Sequence, residues 1–362
     1  MNFLKKSFTT VDVGSSCVKV ARMNKGKNSV KLQDVGYTKL AEDTIENGEI
    51  RDMPVLVSEL EYLFNEMGYR PSSIVTAIPN KNLVIRNVEL PGAVADDIDD
   101  AIKWEAEDYL PFPIEEAVMD YIVVGEGDDY VNVILVAAQA RILHNIQELF
   151  KRLDLNLTVV NAQPLALFSL LESAEKDFAT SAMIDIGASG TRIIIGDKRG
   201  VYLYRTIDIG GNTFTEIIEE QMSTDFEEAE KYKHDNGLST ALDEAAAGQE
   251  EDPEEGMDML QYTDAGSVDE LLMSTADDLT YELSRSLEFF YRNNPDLEIA
   301  NFYLTGGGSL LEGLADFIEE EVEISLQRIS PLQYVNYNQR ISLADEQLSV
   351  AIGLGYSEVL KE

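Results

Sequence analysis

Two nine-residue stretches of the sequence decide the fold: Asp12-Val-Gly-Ser-Ser-Cys-Val-Lys-Val20 and Asp185-Ile-Gly-Ala-Ser-Gly-Thr-Arg-Ile193. They align without gaps, and Asp, Gly and Ser recur at the same positions. The two stretches start 173 residues apart, which is about half of the 362-residue chain. Each follows an apolar run typical of a β-strand and leads into a second such run, so each is predicted to be a β-hairpin. One hairpin repeated at half-chain spacing predicts a duplicated domain.

The turns of these hairpins have the composition of a phosphate-binding loop. Glycine permits a tight bend and a close approach of the backbone to an anion, and consecutive backbone N–H groups then cradle phosphate oxygens. A carboxylate at the end of each first strand, Asp12 and Asp185, is predicted to hold a hydrated Mg²⁺. The residues predicted to contact phosphate are Gly14, Ser15, Ser16, Lys19, Gly187, Ala188, Ser189, Gly190 and Thr191.

A third glycine-rich stretch, Leu304-Thr-Gly-Gly-Gly-Ser-Leu310, follows another apolar strand. Three glycines before a predicted helix over 310–321 allow the backbone to approach a flat ligand closely, with a helix N-terminus directed at it. The predicted ligand contacts are Gly306, Gly307, Gly308 and Ser309. Taken alone, the stretch is equally consistent with a plain strand–helix turn in which Ser309 is the N-cap.

Elsewhere the hydrophobic pattern alternates between strands and helices, which predicts an α/β fold. Pro54–Met67 has apolar residues at helical spacing and is predicted to be a helix. Residues 80–156 follow the order strand, helix, strand, strand, helix. Trp104, on the first of these helices, is expected to lie in the core or at a subdomain contact rather than to stack on a ligand.

The composition excludes several classes of function. The chain has 28 Lys and Arg against 67 Asp and Glu, a net charge of −39, which disfavours nucleic acid and electrostatic binding to anionic lipid. A hydrophobic fraction of 44% is that of a folded protein. The single cysteine, Cys17, leaves no disulfide framework, and the two histidines lack cysteine partners for a zinc site.

The charge is unevenly distributed. Residues 1–31 carry seven basic side chains and one acid, whereas residues 216–264 carry seventeen acids and two lysines. Within the second segment, residues 240–262 combine low hydrophobicity with dense charge and are predicted to form an acidic flexible insertion. The N-terminal residues lack the apolar core of a signal peptide, and no apolar run is long enough for a membrane-spanning helix.

The motifs, in this order, resemble those of the actin/Hsp70/sugar-kinase superfamily. The resemblance implies a two-lobed actin-like ATPase fold, built from duplicated ribonuclease-H-like domains, that binds ATP or ADP with Mg²⁺. It also implies that Gln163, in Asn161-Ala-Gln-Pro164, orients an attacking water. Because an amide cannot accept a proton, at most slow ATP hydrolysis is expected. The residues that the resemblance places against ribose and adenine are Gly210, Gly211, Asn212, Glu230 and Lys233.

Within the superfamily, the chain most resembles the PilM family of type IV pilus assembly proteins, whose near relative is FtsA. The inserted segment 80–156, the stretch Trp104-Glu-Ala-Glu-Asp-Tyr-Leu-Pro-Phe-Pro113 and a chain end soon after Tyr356 carry this resemblance. It implies a cytoplasmic scaffold, recruited to the inner face of the inner membrane, that binds the cytoplasmic N-terminal peptide of a PilN-like membrane protein. A pilus assembly ATPase is a further expected partner. The expected peptide contacts are Tyr109, Leu110 and Phe112.

The predicted domains are lobe I over 1–178, with the inserted peptide-binding subdomain, and lobe II over 179–362, with a smaller helical subdomain over 212–300. Two alternatives stay open: an FtsA-like filament-forming protein, and a kinase of small metabolites on the same fold. A kinase would need an aspartate base with a defined context, which the sequence does not offer. The second hairpin departs from the superfamily pattern because Arg192 stands where several relatives carry Asp.

Overall fold

A computed structural model shows a mixed α/β protein with four sheets among the residues that it describes. Those residues are 7–27, 29–46, 48–79, 83–91, 98–127, 129–174, 179–238, 265–337 and 343–360. The predicted acidic insertion 240–262 lies outside them. The chain divides into two compact units: unit 1 comprises Met1–Met183, Ile194–Tyr204 and Ser330–Glu362, and unit 2 comprises Ile184–Ile193 and Arg205–Ile329.

The strands confirm the predicted hairpins and add a short one. A two-residue pair at Ile45–Glu46 and Glu49–Ile50 was not predicted, because two residues are too few for a periodic pattern. The strands are β1 (Ser7–Val13), β2 (Cys17–Lys25), β3 (Val30–Lys39), β4 (Ile45–Glu46), β5 (Glu49–Ile50), β6 (Ile74–Ile78), β7 (Leu83–Pro91), β8 (Ala117–Glu126), β9 (Tyr130–Gln139), β10 (Leu157–Ala162), β11 (Ser181–Ile186), β12 (Thr191–Asp197), β13 (Gly200–Ile207), β14 (Asn301–Thr305) and β15 (Leu326–Arg328).

The helices largely follow the sequence pattern. The predicted helix over 54–67 is observed as Met53–Glu66, where the Asp52 side chain accepts a hydrogen bond from the Val55 amide at the N-cap. The helices are α1 (Met53–Glu66), α2 (Ile98–Ala106), α3 (Ala140–Arg152), α4 (Gln163–Ala174), α5 (Gly211–Met222), α6 (Phe226–Asn236), α7 (Ala265–Asn293), α8 (Leu314–Val322) and α9 (Ser349–Ser357).

One helix begins four residues later than predicted. The helix expected over 310–321 is preceded by a single 3-10 turn, Gly307–Leu310, and the α-helix α8 begins only at Leu314. Gly313 adopts a φ of 82°, in the left-handed region, which interrupts the helical path between the two. The sequence pattern of apolar residues runs through this break, so periodicity alone could not locate it.

In unit 1, the first five-stranded sheet has the order β10-β6-β1-β2-β3 and carries the first hairpin at its centre. Strand β1 is parallel to β6 and antiparallel to β2. One core cluster of this unit joins buried residues of α1 and α3 to the sheet, among them Leu56, Leu60, Leu149 and Phe150. Helix α9 is buried along its whole length, and Gly353 lets it approach the backbone of α4 at Ala166. The hairpin turn is therefore held on a rigid sheet.

The inserted segment forms a small layer of its own within unit 1. Its elements follow the predicted chain order, and strands β7, β9 and β8 make an antiparallel sheet in that order. Helix α2 covers one face through Ile102 and Ala106, which pack against Val133 and Leu135 of the central strand. Trp104 does not lie in the core: the indole is 77% exposed, and the buried positions of this helix are Ile102 and Ala106.

The second five-stranded sheet has the order β13-β12-β11-β14-β15, with the second hairpin at its centre. All six residues of β11 are buried, and β14 pairs in parallel with β15. Within unit 2, helices α5 and α8 contact the 3-10 turn that follows β14, and α6 packs against α5. Among the described residues, no helix combines the length and apolar character that crossing a bilayer requires.

Candidate functional site

In unit 1, an ion pair links the two strands of the first hairpin next to its turn. Asp12 and Lys19 face each other across β1 and β2, and the Lys19 ammonium donates to Asp12 Oδ2 at 3.2 Å. The Gly14 amide donates to the Cys17 carbonyl at 3.1 Å, and a Cβ on Gly14 would lie 2.9 Å from that oxygen. Glycine is therefore required in this turn. Burial raises the pKa of the Cys17 thiol, which keeps it a neutral packing group.

The second hairpin turn, in unit 2, repeats this arrangement with different side chains. Arg192 Nη1 donates to Asp185 Oδ2 at 2.6 Å, and both side chains are at most 16% exposed. The Gly187 amide donates to the Gly190 carbonyl at 3.0 Å. The repeat predicted from the sequence is thus a repeat of geometry: an aspartate ends the first strand, a glycine follows two residues later, and a cross-strand base is paired with the aspartate.

Three segments of unit 2 meet backbone to backbone around the second turn. The Gly211 and Asn212 amides donate to the Gly187 and Ala188 carbonyls at 2.9 and 2.8 Å, so the first turn of α5 is tied to the hairpin. A Cβ on Gly210 would lie 2.3 Å from the Gly190 nitrogen. These contacts bring the predicted residues Gly187–Gly190 and Gly210–Asn212 together.

The glycine-rich turn after β14 closes on the same place. Gly306 has a φ of 89°, and a Cβ there would lie 2.4 Å from Asp185 Oδ1. A Cβ on Gly308 would lie 2.6 Å from a methyl of Ile186. The Ser309 hydroxyl is buried and donates to the Gly306 carbonyl at 2.7 Å, so Ser309 fixes the turn rather than presenting its hydroxyl.

Lys233 of α6 is a buried connector between helices. Its ammonium donates to the Gly211 carbonyl at 3.0 Å, to the Thr215 hydroxyl at 2.7 Å and to Glu230 Oε2 at 2.5 Å. An ammonium has three N–H donors, so these bonds occupy all of them. Lys233 therefore positions the start of α5. Glu230 remains one-third exposed, and its other oxygen contacts His234.

The charges of this pair are set by competing effects. Burial lowers the pKa of Lys233, and the hydrogen bond to Glu230 offsets part of that shift. Burial raises the pKa of Glu230, but hydrogen bonds from Lys233 and Thr215 outweigh it, so the pKa of Glu230 is lowered overall. The lowered pKa of Glu230 keeps its carboxylate ionised at neutral pH.

Gln163 begins α4 in unit 1 and carries a buried polar atom without a partner. The side chain is 6% exposed, and its Oε1 accepts no hydrogen bond from any residue in the described part of the chain. A buried carbonyl oxygen left without a donor costs about 1–3 kcal/mol, so such groups in native proteins call for an explanation. A water or ligand donor at this position would supply the missing hydrogen bond.

Asp12 and Asp185, which the sequence predicts to hold a hydrated Mg²⁺, each form an ion pair in this structure. One oxygen of each is bonded to Lys19 or Arg192, and Asp185 Oδ1 lies against the backbone at Gly306. No cluster of three or more His, Cys, Asp or Glu side chains suited to a metal ion occurs in the ranges that the structure describes. The glycines of these turns are required by close packing, because a Cβ at Gly14, Gly187 or Gly306 would lie 2.9 Å or less from other protein atoms.

Unit 1 also contains an apolar pocket next to the unpredicted β4–β5 hairpin. Its cavity volume is about 20 Å³, which is room for about one water molecule. Its rim carries an ion pair in which Arg141 donates through both Nη atoms to Glu49 at 2.6 Å, which lowers the pKa of Glu49. The pocket is lined by Val13, Ile45, Gly48, Glu49, Ile50, Thr76, Ala77, Pro79, Ile142, Asn145, Ile146, Leu149 and Phe150.

The expected peptide contacts have different environments. Leu110 packs against the core of the small sheet, Phe112 is half-buried, and Tyr109 is 39% exposed. Tyr109 and Phe112 are therefore accessible to a partner, whereas Leu110 is held against the core of the small sheet.

Sequence reasoning also missed Arg192 as a site residue, although its alignment with Lys19 in the repeat was a usable signal.

The sequence matches the models of two protein families. The sequence model of the family described as type IV pilus assembly protein PilM matches residues 10–245, and that of cell division protein FtsA matches residues 182–353. Among curated proteins, FtsA of Bacillus subtilis (strain 168) is 23% identical, with 96% of this chain and 82% of FtsA covered. FtsA of Neisseria meningitidis serogroup B is 22% identical, with 97% and 89% covered.

Solved structures share the fold. One described as the PilM-PilN type IV pilus biogenesis complex has a TM-score of 0.80 and 24% sequence identity, with 97% of this chain and 98% of that chain covered. MreB5 of Spiroplasma citri bound to AMPPNP has a TM-score of 0.56 and 13% identity, with 99% and 98% covered. At these identities the likeness shows the actin-like fold alone.

Proposed function

The chain belongs to the family of type IV pilus assembly protein PilM, and from this premise we propose that it is a nucleotide-binding, actin-like scaffold that binds the cytoplasmic peptide of a PilN-like inner-membrane protein. The repeated hairpin carries the nucleotide half of the proposal. Each copy presents a glycine turn with a base beside it, in a fold that MreB5 shares in its AMPPNP-bound form. The peptide half is supported by the likeness to a structure described as a PilM-PilN complex.

For the nucleotide, the turns Gly14–Ser16 and Gly187–Thr191 would hold phosphate oxygens through backbone N–H groups. The turn Gly306–Ser309 and the exposed side of Glu230 would lie against the nucleoside. Lys233 would act indirectly, by fixing Glu230 and the start of α5. Bound ATP supplies an anionic triphosphate whose terminal group can be transferred to water.

Hydrolysis, where it occurs, is expected to be slow. Phosphoryl transfer depends on positioning and on electrostatic stabilisation, which the turns supply. The buried oxygen of Gln163 could accept a hydrogen bond from a water and orient it, but an amide cannot take the proton of that water. The proposal is therefore a nucleotide-responsive scaffold rather than an efficient ATPase.

For the peptide, unit 1 offers two separate surfaces. One is formed by Tyr109 and Phe112 beside the small sheet, and the other is the apolar pocket lined by β4, β5 and α3. An extended peptide would pack apolar side chains against Tyr109 and Phe112 or over the mouth of the pocket, and main-chain hydrogen bonds would add affinity. Because the chain has a net charge of −39, a basic peptide is favoured over an acidic one.

Two titrations test these halves. ATP should raise the thermal midpoint of the purified chain, because a ligand that binds only the native state stabilises it by about 2.7 kcal/mol at a hundredfold excess over Kd.

A cytoplasmic peptide from the PilN-like protein of the same organism should bind the purified chain, as calorimetry can measure. Asn145→Trp, which adds bulk at the mouth of the pocket, and Phe112→Ala separate the two surfaces, with Gln147→Trp on the exposed face of α3 as the control. No midpoint shift with ATP, or no peptide binding by the unaltered chain, would reject the corresponding half.

A further inference from the structure

Unit 2 contains an open groove away from its glycine-rich turns. The groove lies between the C-terminal half of α7, the start of β14 and the residues that join α8 to β15. Its cavity volume is about 560 Å³, within the range of about 300–1,000 Å³ that ligand-binding pockets occupy. None of the described residues that line it belongs to a glycine-rich turn, so the groove is separate from the nucleotide site proposed above.

Much of the lining of this groove is apolar. Leu287 of α7 is 7% exposed, whereas Tyr291, one turn later on the same helix, is 42% exposed. The Tyr291 ring packs edge-on against the buried ring of Phe290, with 5.3 Å between the ring centroids. Phe302 and Ile324 also line the groove and are half-buried. An accessible aromatic ring that packs on a buried neighbour is the kind of side chain that dominates the binding energy of protein interfaces.

The charges at the groove are negative. Glu288 and Glu323 line it and are both exposed, and none of the described residues that line it is basic. Glu323 ends α8 with a φ of 56°, in the left-handed region that glycine or asparagine usually adopts at the end of a helix. A glycine would fit this position with less strain, yet the chain has a carboxylate there.

These charges discriminate among the occupants that an apolar groove attracts. The acidic residues 240–262 of this chain carry the same sign of charge as Glu288 and Glu323, and so does a second copy with its net charge of −39. Like charges brought together across an interface disfavour both of these occupants. A peptide that combines lysine or arginine with apolar side chains complements both the carboxylates and the apolar lining.

We propose that this groove of unit 2 is a docking site for a basic peptide segment of a partner protein. Lysine or arginine side chains of the segment pair with Glu288 and Glu323, and an apolar side chain packs on Tyr291. The site is separate from the two surfaces of unit 1 proposed for the PilN-like peptide, and it requires no nucleotide. The chain thus engages a second partner through unit 2.

The test uses a short synthetic peptide of alternating leucine and lysine, whose binding to the purified chain is measured by calorimetry. Glu288→Gln/Glu323→Gly should weaken binding about tenfold, because it removes two exposed charge pairs. Glycine suits the φ of residue 323, so this double variant should fold, and melting curves check that it does. Glu270→Gln/Asp278→Asn changes the net charge equally at exposed positions of α7 outside the groove, and should leave the affinity within about twofold.

The apolar contact is tested on both sides of the interface. Tyr291→Ala should weaken binding about 10- to 30-fold, whereas Tyr281→Ala, at a 63% exposed position of the same helix outside the groove, should leave it within about twofold. A peptide with serine in place of leucine keeps its charge and should bind at least about tenfold more weakly, because it has no side chain to pack on Tyr291.

Amide hydrogen exchange locates the bound peptide. The leucine–lysine peptide should slow exchange in residues 284–291 and 322–327. Equal affinity of the groove and control double variants, equal binding of the two peptides, or protection confined to other segments would overturn the proposal. A chain that sediments as a dimer, and that Tyr291→Ala converts to a monomer, would show that a second copy occupies the groove and would overturn it as well.

Discussion

Gly210→Ala tests the close backbone packing around the second hairpin. Gly210 has an extended backbone with a φ of −145°, so alanine meets no conformational barrier there. Its Cβ would, however, lie 2.3 Å from the Gly190 nitrogen, 2.5 Å from the Ala188 carbonyl oxygen and 2.8 Å from the Gly187 carbonyl oxygen. All three are backbone atoms, which cannot rotate away as a side chain can.

The magnitude follows from two opposing effects. Replacing glycine by alanine restricts the unfolded chain and favours folding by about 0.4–1 kcal/mol where the native site accepts a methyl group. Overpacking costs about 1–3 kcal/mol when neighbours can adjust, and backbone neighbours place Gly210 at the upper end of that range. We therefore expect a net loss of about 2 kcal/mol and a midpoint lower by roughly 4–8 °C in a unit of this size.

Gly125→Ala is the matched control, because the nearest atom to its Cβ would be that of Asn132 at 4.0 Å. Urea unfolding, followed by circular dichroism, measures both variants against the unaltered chain. The same Gly210 variant should also bind ATP more weakly, since the displaced turn includes the predicted phosphate contacts. Equal stability of the Gly210 and Gly125 variants would refute the close packing described for unit 2.

Three further changes test the charges and packing of the site. Lys233→Met should lower the unfolding free energy in urea titrations by about 3 kcal/mol, because it leaves Glu230 partly buried without its lysine partner. Lys231 is exposed on the same helix, so Lys231→Met should change the unfolding free energy by less than about 0.5 kcal/mol. Glu230 has a lowered pKa, so its ionised form stabilises the fold above pH 4.5, and this stabilisation is lost as pH falls through the folded-state pKa. The difference in unfolding free energy between the unaltered chain and Glu230→Gln should therefore shrink as pH drops below 4.5. A difference that stays constant with pH would contradict this. Burial raises the pKa of Cys17, so its thiol in the folded chain should react with iodoacetamide at pH 8 at least tenfold more slowly than in the chain unfolded by urea. Mass spectrometry measures both rates, and equal rates would show an accessible thiolate in the folded chain.

The sequence predicted the parts of the fold that depend on repetition and periodicity. The alignment of Asp12 with Asp185 predicted two equivalent hairpins, and the structure places both at the centres of five-stranded sheets. The order of strands and helices in the inserted segment was also correct. These features rest on local patterns of apolar residues, which the chain displays directly.

What the sequence could not predict arises from contacts between distant segments. Nothing local indicates that Lys233 turns inward to the Gly211 carbonyl, or that Gly306 packs on Asp185. The break at Gly313 and the short β4–β5 hairpin depend on backbone angles and pairings that carry no periodic signal. Trp104 was misplaced because a large aromatic on an amphipathic helix usually faces the core, whereas here smaller residues fill that face.

Amide hydrogen exchange with and without ATP tests the nucleotide site most directly, because it reports on each turn separately. Saturating ATP should slow exchange in peptides that contain residues 14–16, 187–190 and 306–309, while peptides from residues 98–127 of the inserted segment should exchange unchanged. If ATP alters none of the three glycine turns, or protects only the inserted segment, the assignment of these turns to a nucleotide is contradicted.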